Sequence, residues 1–245
     1  MSKKLKVGID VNEVLRARWL QFDRFYVQEF GDDKTEIAVK YTYDFFNDYI
    51  WNDKVEVQKE LKEPDDMPND INPISYQVDE SGEADADAFI FKKPEEIKLS
   101  AKEVYNRFIY EDYLFELHGA APKMYPQLDL DVNNFLQKYE DTVDFTVISV
   151  ENRFSIPPTL FFLSKISSRF RNYKFVDKSI DMWNEVDVLI TTDPAILSLG
   201  TPWGKKLIKL TRPYNEKIKA GTLEVLQVAD LIENKDFEKI IKYKK

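Results

Sequence analysis

The sequence predicts an α/β fold, with a doubly wound, mostly parallel, Rossmann-like sheet and a helical and irregular region inserted into it. An apolar strand with Leu5, Val7 and Ile9 opens the chain, and the helical stripe that follows it ends before Gly31. The run DFTVISV at 144–150 is rich in β-branched residues and suits a buried parallel strand. Further short strands alternate with helices toward the C-terminus, which is the pattern of such a sheet.

Three helices are predicted in the middle of the chain. Ser100 and Glu103 have the spacing of a capping box, which predicts a helix over 100–119. The segment DVNNFLQKYED at 131–141 predicts a second helix, and two prolines in the first turn predict a third over 157–170.

The C-terminal part predicts four strands and one helix. The strand-like runs are YKFVDK, DVLITTD, KKLIKL and EVLQV. An amphipathic helix is expected over 229–245. The aromatic segment YTYDFFNDYIW at 41–51 fits either a strand or a short helix.

A change of composition marks the inserted region. Residues 63–87 contain nine acidic residues and three prolines and no lysine or arginine, which favours an extended or disordered loop. We therefore expect a core formed by 1–30 and 119–245, with 31–118 as an inserted cap region that includes this loop.

Composition excludes several classes of site. The chain of 245 residues has no cysteine, so disulfides, thiolate metal sites and cysteine nucleophiles are excluded. A formal net charge of −9 disfavours direct binding of nucleic acid. No apolar run approaches a membrane span, so we expect a soluble protein without export. The single histidine, His118, is expected to complement the negative end of a helix by its positive charge.

Polar residues end the predicted strands. Ligands of an open α/β sheet bind at the carboxyl ends of its strands, so these residues form the candidate site. In chain order they are Asp10, Ser149, Lys178 and the group Thr191, Thr192 and Asp193. Each also has a structural interpretation: Asp10 would cap the following helix, Ser149 would be a strand-end residue and Lys178 a surface residue.

This order of residues resembles a known superfamily. An aspartate after the first strand, a hydroxyl, a lysine and then a polar group after a later strand is the order of the haloacid dehalogenase-like phosphotransferases. Within that superfamily the sequence looks most like the 5'(3')-deoxyribonucleotidase branch. The resemblance rests on VGIDVNEVL, FTVISV, DKSIDMWNEVDVLITTDPAI and TPWGKKLIKLTRPYN. It covers about half of the chain, mainly the core.

The resemblance implies a role for each position. Asp10 would be the nucleophile that attacks phosphorus, while Ser149 and Lys178 would hold the phosphate oxygens. Acids after a later strand, here represented by Asp193, would bind Mg²⁺ together with Asp10. Mg²⁺ is therefore expected if the protein is active, and no cofactor is expected otherwise.

Several positions depart from the pattern. Asn12 stands where the acid-base aspartate belongs, and an amide does not exchange protons at useful pH. Glu13 replaces the small residue, usually glycine, that lets the loop approach phosphate. Thr191 and Thr192 replace the paired metal-binding acids, and Asp193 would serve only after a shift of register. The site thus keeps its phosphate contacts but loses its proton carrier and most of its metal charge.

These departures predict a catalytically inactive protein that serves as a structural or partner-binding component of an assembly, with a phage virion as one setting. One alternative is an active hydrolase, either a nucleotidase with Asp10 as nucleophile or a metal-free enzyme that attacks carbon. The metal-free enzyme would need Arg16 and Asn152 as a halide cradle. A nucleotide sensor that uses Ser149 and Lys178 is the other alternative. The expected partners are other protein chains in an oligomeric assembly, with no membrane partner. The expected location is the cytoplasm, or a virion if the protein is encoded by a phage.

Overall fold

The structure is a computed structural model that describes residues 4–31, 45–52, 54–57 and 96–242. The acidic loop at 63–87 lies outside the described residues. The chain divides into two compact units, Met1–Ile50 with Tyr105–Lys245, and Trp51–Val104. The predicted limits of the core and the cap stay a prediction, because compactness alone does not identify a functional cap.

The larger unit contains a six-stranded sheet in which every pairing is parallel. Its strand order is β5-β4-β1-β6-β7-β8. The strands are β1 (Leu5–Asp10), β4 (Val143–Val150), β5 (Asn172–Val176), β6 (Val188–Thr191), β7 (Lys206–Leu210) and β8 (Leu223–Val225). This confirms the predicted doubly wound sheet. The order of the strands reverses between β1 and β6, which is where such sheets bind ligands.

Helices cover both faces of the sheet. The α-helices of the described residues are α1 (Arg18–Phe30), α2 (Phe45–Asp48), α3 (Ala101–Arg107), α4 (Leu114–His118), α5 (Leu128–Tyr139), α6 (Ile156–Ile166), α7 (Met182–Glu185), α8 (Pro194–Leu199) and α9 (Lys235–Lys242). Those in the apolar cores on the sheet include α5, α6, α7, α8 and α9. Because side chains alternate along a strand, Val7 and Ile9 of β1 join the larger apolar core with α5, α6 and α9. Gly8 faces the other side, where an added Cβ would lie 2.8 Å from Val186 Cγ1. Glycine at this position therefore allows β1 to pack closely on the second core.

The helix predicted over 100–119 is interrupted, which corrects the sequence interpretation. The capping box is present, since Ser100 N–H donates to Glu103 Oε2 at 2.8 Å. A π-helical turn at Phe108–Asp112 then separates α3 from α4, and Tyr113 N–H donates to Phe108 O at 3.0 Å. The wider turn lets the Phe108 ring pack 5.3 Å from Phe22 and 4.7 Å from Tyr113.

Two other helices are shorter than predicted. α6 ends at Ile166 rather than near Phe170, because Ser167 is extended and its hydroxyl accepts a hydrogen bond from Arg169 N–H at 3.0 Å. The C-terminal segment is a short 3₁₀ turn at Val228–Leu231 followed by α9. Asn234 divides them by accepting hydrogen bonds from the first backbone N–H groups of α9.

The remaining predictions concern shorter segments. α5 begins at Leu128, three residues before its predicted start. The part of 41–51 that the structure describes contains helix α2, so the helical alternative is the observed one there. The smaller unit contains β2 (Lys54–Val57) and β3 (Glu96–Leu99), which pair in antiparallel register. Across the described ranges, no helix combines the length and the apolar character that a membrane crossing requires.

Candidate functional site

The carboxyl ends of β1, β4 and β6 lie side by side at the predicted site. β1 pairs with β4 through Asp10 and Ile148, and with β6 through Ile9 and Ile190. This register places Thr191 beside Asp10, and Thr191 Oγ1 donates to Asp10 Oδ2 at 2.6 Å. The shift of register that would bring Asp193 opposite Asp10 is not observed, and Thr191 lies there instead.

Asp10 is fully buried. Burial raises the pKa of its carboxyl to about 7, against the lowering effect of the Thr191 hydrogen bond, and the nearby charge of Asp193 raises it further. Oδ1 has no hydrogen-bond partner among the described residues. The Asp10 carboxyl therefore keeps its proton to a higher pH than an exposed aspartate does.

The loop after β1 forms a compact turn around Glu13. Glu13 has φ of 58°, the left-handed conformation that glycine adopts most easily, so the backbone keeps the shape of the glycine position. Its Oε1 accepts a hydrogen bond from Trp19 N–H at 3.1 Å, in the first turn of α1. The side chain that caps α1 is therefore Glu13 and not Asp10. Burial raises the pKa of Glu13 to about 7, although the nearby Arg18 lowers it.

Asn12 belongs to a buried network centred on Arg16. The Arg16 guanidinium donates to Asn12 Oδ1 at 2.5 Å and to Glu151 Oε1 at 2.7 Å. It also donates to Thr159 Oγ1 at 2.8 Å and to the backbone carbonyl of His118 at 2.7 Å. These contacts, with the bond from Asn12 Nδ2 to Ser149 Oγ, fix the Asn12 amide.

Glu151 is the counter-ion of Arg16, and His118 lies next to it. Burial alone would raise the pKa of Glu151, but Arg16 and His118 hold it well below its usual range. Burial lowers the pKa of His118 to about 4, so its imidazole is neutral at physiological pH. This corrects the expected cationic role of His118: although it ends α4, it carries no charge there. Its Nδ1 lies 3.4 Å from Glu151 Oε2.

The two predicted phosphate-binding residues differ in burial and in the contacts they make. Ser149 is fully buried, and its hydroxyl donates to Glu151 Oε1 at 3.0 Å while it accepts from Asn12 Nδ2 at 3.3 Å. Lys178 lies exposed, two residues beyond β5. The described contacts therefore do not form a phosphate cradle from this pair.

Asp193 is engaged in local structure. Its Oδ1 accepts from Ala195 N–H at 2.7 Å, which caps α8, and its Oδ2 accepts from the Ser179 hydroxyl. Thr192 Oγ1 donates to the backbone carbonyl of Asn12 at 3.2 Å. The contact of Thr192 connects the end of β6 to the loop that follows β1.

The LTRPYN segment closes the crevice between these strands. The Asn215 amide donates to Thr192 O at 2.9 Å and to Leu210 O at 3.0 Å. Arg212 Nε donates to Glu13 O at 3.1 Å. Asn215 and Arg212 thus fasten the ends of β6 and β7 to the loop after β1.

The donor set at this site does not fit Mg²⁺. This ion requires near-octahedral oxygen coordination and is usually held by one or two carboxylates with several waters. The carboxylate oxygens of Asp193 both accept internal hydrogen bonds, and Asp10 offers only Oδ1. Within the described ranges, no group of three or more histidine or acidic residues is arranged to hold a metal ion.

The halide cradle suggested for a metal-free hydrolase is not formed either. Arg16 is occupied by its four buried acceptors. Asn152 is exposed, and its Oδ1 accepts from Phe154 N–H at 3.1 Å in a local turn. Neither residue directs a donor toward Asp10 in the described contacts.

Sequence reasoning missed three residues that build the site: Glu151, Arg212 and Asn215. Glu151 directly follows a buried strand, and this position is the signal that would have found it. Arg212 and Asn215 belong to LTRPYN, which contributed to the resemblance without a stated role. Their contacts are long-range, so no local pattern reveals them.

The chain is similar in fold to haloacid dehalogenase-like hydrolases. One solved neighbour is a dehalogenase, with 9% identity and a TM-score of 0.47, over 94% of this chain and 96% of that one. Another is a haloacid dehalogenase-like family hydrolase from Xanthomonas campestris, with 10% identity and a TM-score of 0.45, over 94% of this chain and 93% of that one. No protein-family model and no curated protein sequence matches the chain. These two likenesses carry no argument about activity, and the chemistry follows from the residues of this chain.

Proposed function

We propose that this chain is a non-catalytic protein that keeps a haloacid dehalogenase-like core for its shape and acts by binding other protein chains. The observation that carries the proposal is the buried network in which the two terminal nitrogens of the Arg16 guanidinium make four hydrogen bonds. Asn12 and Ser149 occupy the positions of the proton carrier and the phosphate ligand, and their side chains bond each other, Arg16 and Glu151. A substrate would have to break these buried bonds to reach either residue.

The chemistry of phosphoryl transfer supports the same conclusion. Attack by a carboxylate on an anionic phosphate needs charge compensation and a proton carrier, and such contributions are strongly non-additive. Thr191 and Thr192 stand where the resemblance expects metal-binding acids. The Thr191 hydroxyl donates to the Asp10 carboxylate, and the Thr192 hydroxyl donates to the backbone carbonyl of Asn12. The absence of both groups, the proton carrier and the paired metal-binding acids, favours a site that has a structural role only. The setting of the protein, in the cytoplasm or in a phage virion, stays a prediction.

A turnover assay tests the proposal. Purified protein is assayed with p-nitrophenyl phosphate and deoxynucleoside monophosphates in the presence of Mg²⁺, beside the Asp10→Asn variant. The matched control is Asp177→Asn, which changes an exposed carboxylate after β5. We expect wild type and both variants to show the same background rate. Turnover that Asp10→Asn abolishes and Asp177→Asn retains would overturn the proposal.

A second candidate is a metal-free hydrolase, and one observation favours it. Asp10 Oδ1 is without a hydrogen-bond partner among the described residues, and burial raises the pKa of the carboxyl to about 7. Such a carboxylate would attack carbon, form an aspartyl ester and release the leaving group, and water would then hydrolyse the ester. Mass spectrometry after incubation with a 2-haloacid, without metal, would detect the ester on Asp10. We expect no adduct if the protein is non-catalytic.

A further inference from the structure

Helix α6 is apolar on the side that faces solvent as well as on the side that faces the core. Phe162, Leu163 and Ile166 are buried in the core. On the outer side, Leu160 is 39% exposed and Phe161 is 47% exposed. A helix that is hydrophobic all round is normally buried all round, because an exposed apolar side chain forgoes the free energy of leaving water. The outer side of α6 thus has the composition of a covered surface.

Two further aromatic rings extend this surface. The Phe115 ring of α4 is 49% exposed, and its centre lies 5.2 Å from the centre of the Phe161 ring. Phe154, in the turn before α6, is 51% exposed. We call the surface formed by Phe115, Phe154, Leu160 and Phe161 the aromatic face. An apolar patch of this kind, with polar residues around it, is typical of a protein–protein contact.

The aromatic face has two distinct ends. α4 runs beside the second half of α6, because Phe115 contacts Phe161 and Lys165 Nζ donates to Gly119 O at 2.9 Å. Phe154 instead precedes the first residue of α6. The face therefore extends from the Phe154 end, before α6 begins, to the α4 end, beside its second half.

The two ends carry unpaired charges of opposite sign. At the Phe154 end, the exposed Arg153 guanidinium lies 4.6 Å from the centre of the Phe154 ring. At the α4 end, Glu116 follows Phe115 and is half-buried. Neither Arg153 nor Glu116 has an ion-pair partner among the described residues. Each end therefore presents one charge that a partner can neutralise.

The other charges near the α4 end are already engaged. The Lys165 ammonium lies 4.6 Å from the centre of the Phe161 ring, in addition to its hydrogen bond to α4. Arg107 pairs with Glu111 at 3.9 Å and with Asp112 at 3.7 Å. Glu116 is thus the carboxylate at this end that is left for a partner.

We propose that the aromatic face is the twofold interface of a homodimer of this chain. A twofold axis through the face brings each end of one copy against the opposite end of the other copy. Arg153 of one copy then meets Glu116 of the second, the same pair forms a second time, and the aromatic rings cover one another between the two pairs. A second copy is the occupant that the charges favour, because it supplies a carboxylate at one end and a cation at the other. This inference rests on the proposed binding of other protein chains and names the partner.

Analytical ultracentrifugation of the full chain over a range of concentrations tests the dimer. We expect wild type to show an equilibrium of monomer and dimer without larger species, since a twofold contact closes on itself. Phe161→Ala should weaken the dimer by on the order of 30-fold, as for a central aromatic residue of an interface. Leu226→Ala is the matched control, because Leu226 is an exposed apolar residue (66%) that follows β8, whereas α6 connects β4 with β5 at the other end of the strand order.

Charge exchange gives the decisive result. Glu116→Arg and Arg153→Glu should each weaken the dimer by about 10-fold or more, because each places like charges opposite one another twice. The double variant with both substitutions in one chain should dimerise as wild type does, since both pairs are restored with their signs exchanged. An equimolar mixture of the two single variants should form a heterodimer for the same reason.

The opposite results are equally specific. A wild type that stays monomeric or grows beyond a dimer overturns the inference, as does a dimer that Phe161→Ala leaves intact. A double variant that dimerises as weakly as the single variants overturns it too. None of these measurements depends on turnover, so failure of this inference is distinguishable from failure of the non-catalytic function.

Discussion

The two edges of the central sheet differ in how their polar groups are satisfied. At the carboxyl edge, Arg16, Glu151 and Ser149 are buried and bond one another. At the amino edge, Arg171 is exposed beside an open cavity, and Trp203 projects into solvent. Sheets of this type bind ligands at the carboxyl edge, so the usual binding edge is here the closed one. The exposed side chains of Arg171 and Trp203 lie at the opposite edge.

The buried charges at the closed edge are costly to disturb. Removing one partner of a buried ion pair leaves an uncompensated charge and typically costs about 3–5 kcal/mol, whereas an exposed pair contributes about 1 kcal/mol or less. The two edges offer a matched pair of arginines, Arg16 with Glu151 and Arg169 with Glu140.

We expect the largest effect from Arg16→Ala, which should lower the free energy of unfolding by about 3–5 kcal/mol because Glu151 would keep its buried charge. Arg169→Ala should lower it by no more than about 1 kcal/mol. Urea denaturation of both variants measures the difference. Equal losses of unfolding free energy would show that the ion pairs at the two edges contribute equally to stability and would contradict this expectation.

The titration of Asp10 and Glu13 is expected to have an intermediate effect on the free energy of unfolding. Their pKa values are about 7 in the folded chain and ordinarily 3.8 and 4.5, so the folded chain holds protons that the unfolded chain releases. Their contribution to stability is therefore complete below pH of about 4 and is lost as pH rises through 7. His118 acts in the opposite direction, because its lowered pKa makes stability fall as pH falls from 6.5 toward 4.

The variant Asp10→Asn isolates this effect. It cannot ionise, so its Tm should exceed that of wild type at pH 8 by more than at pH 5. Each kcal/mol of stability corresponds to about 2–4 °C in a chain of this size. Thermal unfolding at the two pH values makes the measurement. A constant difference in Tm between variant and wild type would contradict the raised pKa of Asp10.

The smallest effect on stability is expected at Trp203. Its ring is almost fully exposed, so Trp203→Ala should change the free energy of unfolding of the dissociated chain by about 0.5 kcal/mol or less. Urea denaturation at low protein concentration tests this expectation. A loss of several kcal/mol would show that the tryptophan ring packs within the fold of its own chain.

Much of the core was predictable because its signals are local. The alternation of Val7, Gly8 and Ile9 and the β-branched run of β4 predicted their strands, and the capping box at Ser100 predicted the start of α3. Helix ends were less predictable, since the π-helical turn at Phe108–Asp112 follows from aromatic packing against α1. The sequence also identified the polar residues at the strand ends, but it did not predict the long-range contacts that they make.

Asn12 and Glu13 illustrate this limit. The sequence alone determined which groups follow β1 and end β6, namely an amide at Asn12, a carboxylate at Glu13 and hydroxyls at Thr191 and Thr192, because residue identity fixes which groups exchange protons or bind metal. That Asn12 and Glu13 replace an acid-base aspartate and a glycine is what the resemblance implies. Only the tertiary structure decided that Arg16 fixes Asn12 and that Glu13 caps α1. It also decided which edge is closed, because the partner of Arg16 is Glu151, 135 residues away, and burial at that distance depends on the packing of the whole sheet.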